Sequence, residues 1–146
     1  MAEGKVGMDR IDAEIFRVGR DPKQMNVLAL AYIGDSVYEV YIRQYLLARG
    51  EIKPHLLHQA ATRYVSAKAQ ADQLEKIWGI LDEEEQGIVR RGRNAKAGSM
   101  PKNASPADYH KATAFEALIG YHYLMGHRQR LQEIIMLALE EKTNLQ

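Results

Sequence analysis

Two isolated carboxylates are the residues in this chain best placed to do chemistry. Asp35 is the only charge in Val27-Leu-Ala-Leu-Ala-Tyr-Ile-Gly-Asp-Ser-Val-Tyr38. Glu116 is the only formal charge in Ala112-Thr-Ala-Phe-Glu-Ala-Leu-Ile-Gly-Tyr-His-Tyr-Leu-Met125. Both stretches are helical in pattern and apolar on almost every face, and such a helix is expected to be buried. A carboxylate buried there costs several kcal/mol unless it is paired, bound to a metal or protonated. If the two acids converge, their oxygens suit Mg²⁺ or Mn²⁺, cations that commonly sit between carboxylates and substrate phosphates. The residues alone leave a second arrangement open, in which each acid meets its own Arg or Lys in a structural ion pair.

Gly34 and Gly120 each stand within a turn of one of these acids, where Ala would favour the helix by ~1 kcal/mol. Close helix–helix packing explains them, and the same packing would let the two helices approach one site. A second feature is the basic stretch Arg90-Arg-Gly-Arg-Asn-Ala-Lys-Ala-Gly-Ser-Met-Pro-Lys102. No acidic residue occurs from Gln86 to Ala107, while Arg90, Arg91, Arg93, Lys96 and Lys102 all do. Read as a glycine-bearing loop, it would bring backbone amides and cations to phosphate oxygens, positioning a nucleic acid without reading its bases. The plainer reading is a solvated loop that balances the nearby Glu83-Glu84-Glu85 run. Aromatic interleaving is absent, which argues against a single-strand stacking platform. His55 and His58 lie at i,i+3 with no acid or third histidine nearby, and read as surface residues. His110, His122 and His127 show no ligand spacing, and the eight tyrosines read as amphipathic packing residues.

The elements that must position these residues read as helices throughout, with no strand-like alternation and no internal repeat. Met1 to Gly7 is small and polar and is expected to be disordered. A short amphipathic turn follows over Met8 to Val18, with Ile11, Ile15 and Phe16 as anchors. Asp21-Pro22 is a helix-start signal for a helix running to about Ala48, with Gly50 as its stop. Glu39 and Arg43 on it are spaced as an i,i+4 pair. Lys53-Pro54 opens a unit of two helical pieces or one kinked helix, His55 to Ala61 and Val65 to Trp78. The acids from Asp82 to Glu85 mark a helix N-terminus, and that helix is expected to reach about Arg93. Gly92, Gly98, Pro101 and Pro106 read as a loop. Pro106 and Asp108 lead into the Glu116 helix, which Gly126 ends. A last amphipathic helix covers about Arg128 to Glu141, with Leu131, Ile134, Ile135 and Leu139 inward.

At 146 residues, with 46% hydrophobic and 27% charged residues, the chain is of a size and composition for one globular domain. It has no cysteine, which excludes disulfides and thiolate metal sites and fits a reducing cytoplasm. Its apolar runs carry a central charge and are too short to cross a bilayer. A formal net charge of +1 neither favours nor excludes nucleic acid.

Two of these stretches resemble the signatures of a known family. Ala-Tyr-Ile-Gly-Asp-Ser-Val at 31–37 resembles the ribonuclease III signature, and Phe-Glu-Ala-Leu-Ile-Gly at 115–120 resembles that family's second motif, in matching order and separation. The likeness covers about Pro22 to Leu139. Val-Ser-Ala-Lys-Ala-Gln-Ala at 65–71 and Arg-Gly-Arg-Asn-Ala-Lys at 91–96 are similar to the short bacterial Mini-ribonuclease III branch, which lacks the usual appended double-stranded-RNA-binding domain. The resemblance implies an all-α, ribonuclease III-type endonuclease domain over 21–146, after an N-terminal extension over 1–20, acting as a helical homodimer. It implies a cytoplasmic hydrolase that cuts double-stranded RNA with Mg²⁺, for which Mn²⁺ substitutes, leaving 5′-phosphate and 3′-hydroxyl ends. For the short branch the implied substrate is precursor 23S ribosomal RNA, trimmed near its termini and bound with or without a ribosomal protein. Carried over residue by residue, Asp35 and Glu116 would be the catalytic, metal-holding pair. Arg90, Arg91, Arg93, Asn94, Lys96 and Lys102 would meet the RNA. The chain departs from larger relatives where they carry further acids: Leu28, Ala31 and Thr113 stand at those positions, leaving a thinner carboxylate shell. That thinning motivates a different class of function, a catalytically weakened module that binds structured RNA or a ribosomal protein.

Overall fold

The computed structural model describes residues 11–96 and 105–140, and everything said of structure concerns these. Six α-helices carry the fold: α1 (Val27–Ala48), α2 (Pro54–Val65), α3 (Ala67–Ile77), α4 (Glu83–Asn94), α5 (Pro106–Met125) and α6 (Arg128–Leu139). No strand occurs among the described residues.

Helix α5 is the axis of the molecule. Alanines, a glycine and apolar side chains ring it, so α1, α3 and α4 all pack against it and α6 folds back on its C-terminal end. Phe115, Leu118 and Ile119 are fully buried on it, each worth roughly 1.5–3 kcal/mol relative to exposure. Helix α5 starts where the Ser105 hydroxyl accepts the Asp108 amide at 3.1 Å. It ends at Gly126, whose φ of 76° closes the left-handed cap, as expected of a glycine at that position.

Several boundaries differ from the sequence reading, each for a local reason. The helix expected from Pro22 begins instead as a 3₁₀ turn (Pro22–Gln24) and restarts at Val27, where the Asn26 side chain accepts the Leu28 amide at 2.8 Å. Two caps in series make two elements. The unit after Pro54 is two helices, because Ser66 is extended at φ −67°, ψ 159° and its hydroxyl accepts the Ala69 amide. Gly92, read as a loop glycine, is buried inside α4, where an added Cβ would lie 2.6 Å from Ala114 Cα of α5. Much of the basic stretch is therefore helix. Ile11, Ile15 and Phe16, expected as anchors, are 63%, 85% and 56% exposed around a 3₁₀ turn (Glu14–Phe16). The short turn offers no face that the helices cover. The expectation for residues 1–7 lies outside the described residues.

A buried charge network ties the far end of α5 to α4 and α6. Asp82 and Glu85 form a reciprocal capping box at the start of α4. The Glu85 carboxylate, 2% exposed, also accepts from Arg130 Nε and Nη2 and from His122 Nε2, each at 2.7 Å. Burial works against its charge, but Arg130, the Asp82 amide and His122 together outweigh burial and hold Glu85 at about 2. An ionised carboxylate only accepts, so His122 carries its proton on Nε2. Its Nδ1 then accepts from His127 Nδ1 at 2.9 Å. Burial, chiefly, lowers the pKa of His122. In the sequence His122 and His127 show no ligand spacing, and Glu85 reads only as one of the acids that mark a helix N-terminus.

Candidate active site

Asp35 and Glu116 come together because α1 and α5 touch almost backbone to backbone. A Cβ added at Gly34 would lie 2.8 Å from the Gly120 amide nitrogen and closer still to the Glu116 carbonyl oxygen. A Cβ at Gly120 would lie 2.9 Å from the Leu30 carbonyl carbon. Only hydrogen fits at either position. The expectation of close packing at both glycines holds, and the residue after Gly34 is thereby delivered to the side chain of Glu116.

The two acids differ in their surroundings. Helix α1 buries Leu30, Gly34, Val37 and Tyr38, while Tyr32, Asp35, Ser36 and Val40 stay exposed. Asp35 was expected to be buried. It is not, because no other described element covers that side of α1. Glu116 is half-buried, and its carboxyl lies within hydrogen-bonding reach of Asp35. Burial first, then the Asp35 charge and the hydrogen bond to Asp35, push Glu116 up to about 8, and Glu39 adds to the repulsion. The Gln70 side chain acts in the opposite direction.

Among the described residues, neither acid forms an ion pair with Lys or Arg. Among the described residues, then, the two separate structural pairs of the alternative arrangement do not occur. Glu39 does pair with Arg43, at 3.7 Å on the surface, as its spacing suggested. Thr113 is 7% exposed and its hydroxyl donates to the Tyr109 carbonyl at 3.0 Å, so its proton is already committed. Leu28 and Ala31 offer no ligand oxygen from their side chains. No group of three or more His, Asp or Glu side chains suited to a metal occurs among the described residues. His55 and His58 are exposed.

Two adjacent carboxyls with no counter-cation among the described residues are a donor set that fits a small divalent ion. The ion's charge would remove the repulsion that raises Glu116, and hard oxygen ligands match Mg²⁺ or Mn²⁺. One and two carboxylates are the usual protein share of a Mg²⁺ site, the rest being water and phosphate.

A basic cleft of about 380 Å³ opens between the end of α4 and the start of α5. Arg90, Arg93, Asn94, His110 and Lys111 line it. The first three were expected to meet RNA; His110 and Lys111 were not. Lys111 also pairs with Glu75. The two lie five and six residues before Glu116, about 8–9 Å along the helix at 1.5 Å per residue. Arg91 is otherwise engaged: its guanidinium donates to the carbonyls of Lys23 and Met25, bracketing α4 to the approach to α1. Lys96 is exposed just beyond α4. Lys102 lies outside the described residues.

The helical order and the paired acids define a class, and comparison with known proteins agrees. Residues 28–127 match the family described as Ribonuclease III domain, and the chain belongs to that family. More particularly, it is 55% identical over 119 residues to a Brevibacillus brevis protein named Mini-ribonuclease 3, covering 82% of this chain and 89% of that one. An Enterococcus faecalis protein of the same name is 51% identical over 80% of this chain and 89% of its own. A Fusobacterium nucleatum protein of known crystal structure superposes with a TM-score of 0.76 at 32% identity, covering 84% of this chain and all of that one, 100%. The all-α, ribonuclease III-type fold expected from the sequence is the fold observed. No described helix is long and apolar enough to cross a membrane.

Proposed function

We propose that the chain is an endoribonuclease that hydrolyses double-stranded RNA with Mg²⁺, for which Mn²⁺ substitutes. The observation that carries this reading is the convergence of Asp35 and Glu116 with no cation of the protein's own between them. A divalent ion held there supplies Lewis-acid polarisation of a phosphodiester and a more acidic water. Asp35, at the exposed rim, meets the substrate side, and Glu116, half-buried, anchors the site to the core. Arg90, Arg93 and Asn94 in the cleft neutralise backbone phosphates, and Lys96 and Lys102 add to that charge. Arg91 contributes to that field, but its contacts make it first a structural clamp.

The reading extends to a homodimer over residues 21–146. Tyr32 and Val40, 82% and 62% exposed on the helix that carries Asp35, support a second copy docking there. Two acid pairs would then face the two strands of one duplex. The reading extends, through the resemblance to the short branch, to a cytoplasmic role in trimming 23S ribosomal RNA precursor ends, with or without a ribosomal protein bound.

The test is cleavage of a long perfect RNA duplex, with Mg²⁺ or with EDTA, by wild type, Asp35→Asn and Glu116→Gln. Single-stranded RNA of the same sequence is the control. Duplex-only, metal-dependent cutting that drops at least ~100-fold in both variants is expected, since removing a ligand removes the ion that stabilises the developing charge. Cutting that persists in Asp35→Asn overturns the site. Duplex binding by the wild type without any cutting selects the binding module instead.

A further inference from the structure

Helix α3 buries two glutamines one turn apart, and they are treated very differently. Gln73, 5% exposed, is satisfied at both ends: its Oε1 accepts the Tyr38 hydroxyl at 2.7 Å and its Nε2 donates to the Tyr64 carbonyl at 3.2 Å. Gln70 is more deeply buried, at 1%, yet its Nε2 has no hydrogen-bond partner. Buried polar groups are nearly always paired, and an unpaired one in a packed interface calls for an explanation beyond packing. A leucine or methionine would fill the same space between α3 and α5 with no such penalty.

The Gln70 side chain is within reach of the Glu116 carboxyl, although no bond of ordinary geometry is closed. Amide and carboxyl are thus neighbours awaiting alignment. A glutamine offers donors through Nε2 alone, and an ionised carboxylate offers only acceptors, so the pair has one sense. Ligating carboxylates are ordinarily hydrogen-bonded through the oxygen that does not face the metal, which fixes their orientation. Gln70 is itself held rigidly: its backbone amide donates to the Ser66 carbonyl at 2.9 Å, in a first turn capped by the Ser66 hydroxyl. A group on such a support can aim another.

We propose that Gln70 is a positioning residue whose side-chain amide donates to Glu116 and aims that carboxylate at the divalent cation it shares with Asp35. This rests on the reading of Asp35 and Glu116 as a metal site. It assigns to a neutral amide a task that the missing acids at Leu28, Ala31 and Thr113 cannot perform, and it adds no charge to an already repulsive pair.

The test compares wild type with Gln70→Met, which keeps length and volume and removes the donor. Three quantities are read on each: Mn²⁺ affinity by electron paramagnetic resonance of the free ion, kcat and KM on the RNA duplex, and the melting temperature without metal. Mn²⁺ affinity falls about 10-fold or more, kcat falls with KM for RNA unchanged, and the metal-free melting temperature holds or rises. A side chain that only fills space would leave affinity and kcat at wild-type values, and that result overturns the proposal. A second measurement needs no variant: on addition of Mg²⁺ the Gln70 side-chain NH₂ resonance of the wild type moves downfield, and does not do so in Asp35→Asn. An unmoved resonance also overturns it. If the wild type binds no Mn²⁺ at all, the metal-site reading fails and this one with it. If it binds and Gln70→Met binds equally, only the role of Gln70 is lost.

Discussion

Replacing Gly34 with alanine tests the geometry on which the whole site depends. In a solvated helix the change stabilises by up to ~1 kcal/mol, because alanine restricts the unfolded chain and favours helix. Here the added methyl would lie 2.8 Å from both the Glu116 carbonyl carbon and the Gly120 amide nitrogen, atoms of a packed backbone that cannot rotate aside. Relief requires α1 and α5 to part by about 1 Å along much of their contact, which loosens Leu30, Val37 and Leu118 together. Overpacking of this kind costs typically 1–3 kcal/mol and occasionally more. Set against the ~1 kcal/mol of helix preference, a cost at the upper end of that range leaves a net loss of about 2 kcal/mol, or roughly 7 °C in melting temperature for a domain of this size. Gly87→Ala is the internal control. Nothing lies within 4 Å of its added Cβ, so it should hold or raise the melting temperature. The functional effect should exceed the stability effect, because a shift of ~1 Å between catalytic groups can cost 10²-fold in rate. Thermal melts and duplex cleavage at a temperature where both variants remain folded separate the two. A Gly34→Ala protein that melts within a degree or two of wild type and cuts RNA at full rate would refute the argument that these glycines set the Asp35–Glu116 distance.

Other perturbations follow from the same contacts. Without metal, Glu116 titrates near 8 against an ordinary 4.5, so its stability contribution is full below about 4.5 and is lost as pH rises through 8. Glu116→Gln should therefore match wild type at pH 4.5 and exceed it at pH 8.5 by about 2 kcal/mol after allowance for solvent screening, a gap that saturating Mg²⁺ closes. The network at the other end of α5 has the opposite sign: a lowered His122 pKa means stability present above about 6.5 and lost as pH falls below it. Glu85, held at about 2, adds a further loss between 4.5 and 2. Melting curves across pH should show both limbs, and their absence would contradict the assigned networks. Arg130→Met leaves the Glu85 carboxylate buried without its main partner and should cost about 3 kcal/mol by denaturant titration. Arg93→Ala should weaken duplex binding and reduce the slope of log affinity against log salt by about 1. Arg91→Ala should instead lower the melting temperature, because it removes the bracket to Lys23 and Met25.

Periodicity exposed the helices because each keeps an apolar stripe at helical spacing, and Gly50 and Gly126 marked ends because both have positive φ. The isolated acids and their flanking glycines were legible for a related reason: each breaks a local preference, and such breaks concentrate at functional sites. What stayed hidden was decided between helices. Gln70 and Gln73 are indistinguishable in sequence, yet one closes two hydrogen bonds and the other none at Nε2. Glu85 belongs to an acidic run that reads as a solvated helix start, and only the arrival of Arg130 and His122 makes it a buried anchor. Gly92 looks like a loop glycine beside arginines until Ala114 is placed against it. The burial expected for Asp35 was wrong because hydrophobicity all around α1 reports that its faces avoid water, without reporting which molecule covers them.

Helix α5 carries two partly or fully buried acid sites built on opposite electrostatic plans. Near its C-terminal end, at His122, the Glu85 carboxylate of α4 meets a guanidinium, that imidazole and a backbone amide, and stays ionised far below neutral pH. Nothing further needs to bind there, and the result is a clamp joining α4, α5 and α6. Six residues earlier along α5, Glu116 faces a second carboxylate with no guanidinium or ammonium ion-paired to it among the described residues, and resists ionisation near neutral pH. The chain has 20 Lys and Arg residues against 19 Asp and Glu, so the want of a partner is not a shortage of cations. Two glycines hold the repelling pair together, and the core around Phe115 and Leu118 resists their separation. The contrast between one buried acid that the fold stabilises fully and another left uncompensated a turn and a half away is the ground on which we propose that the second takes up an external cation.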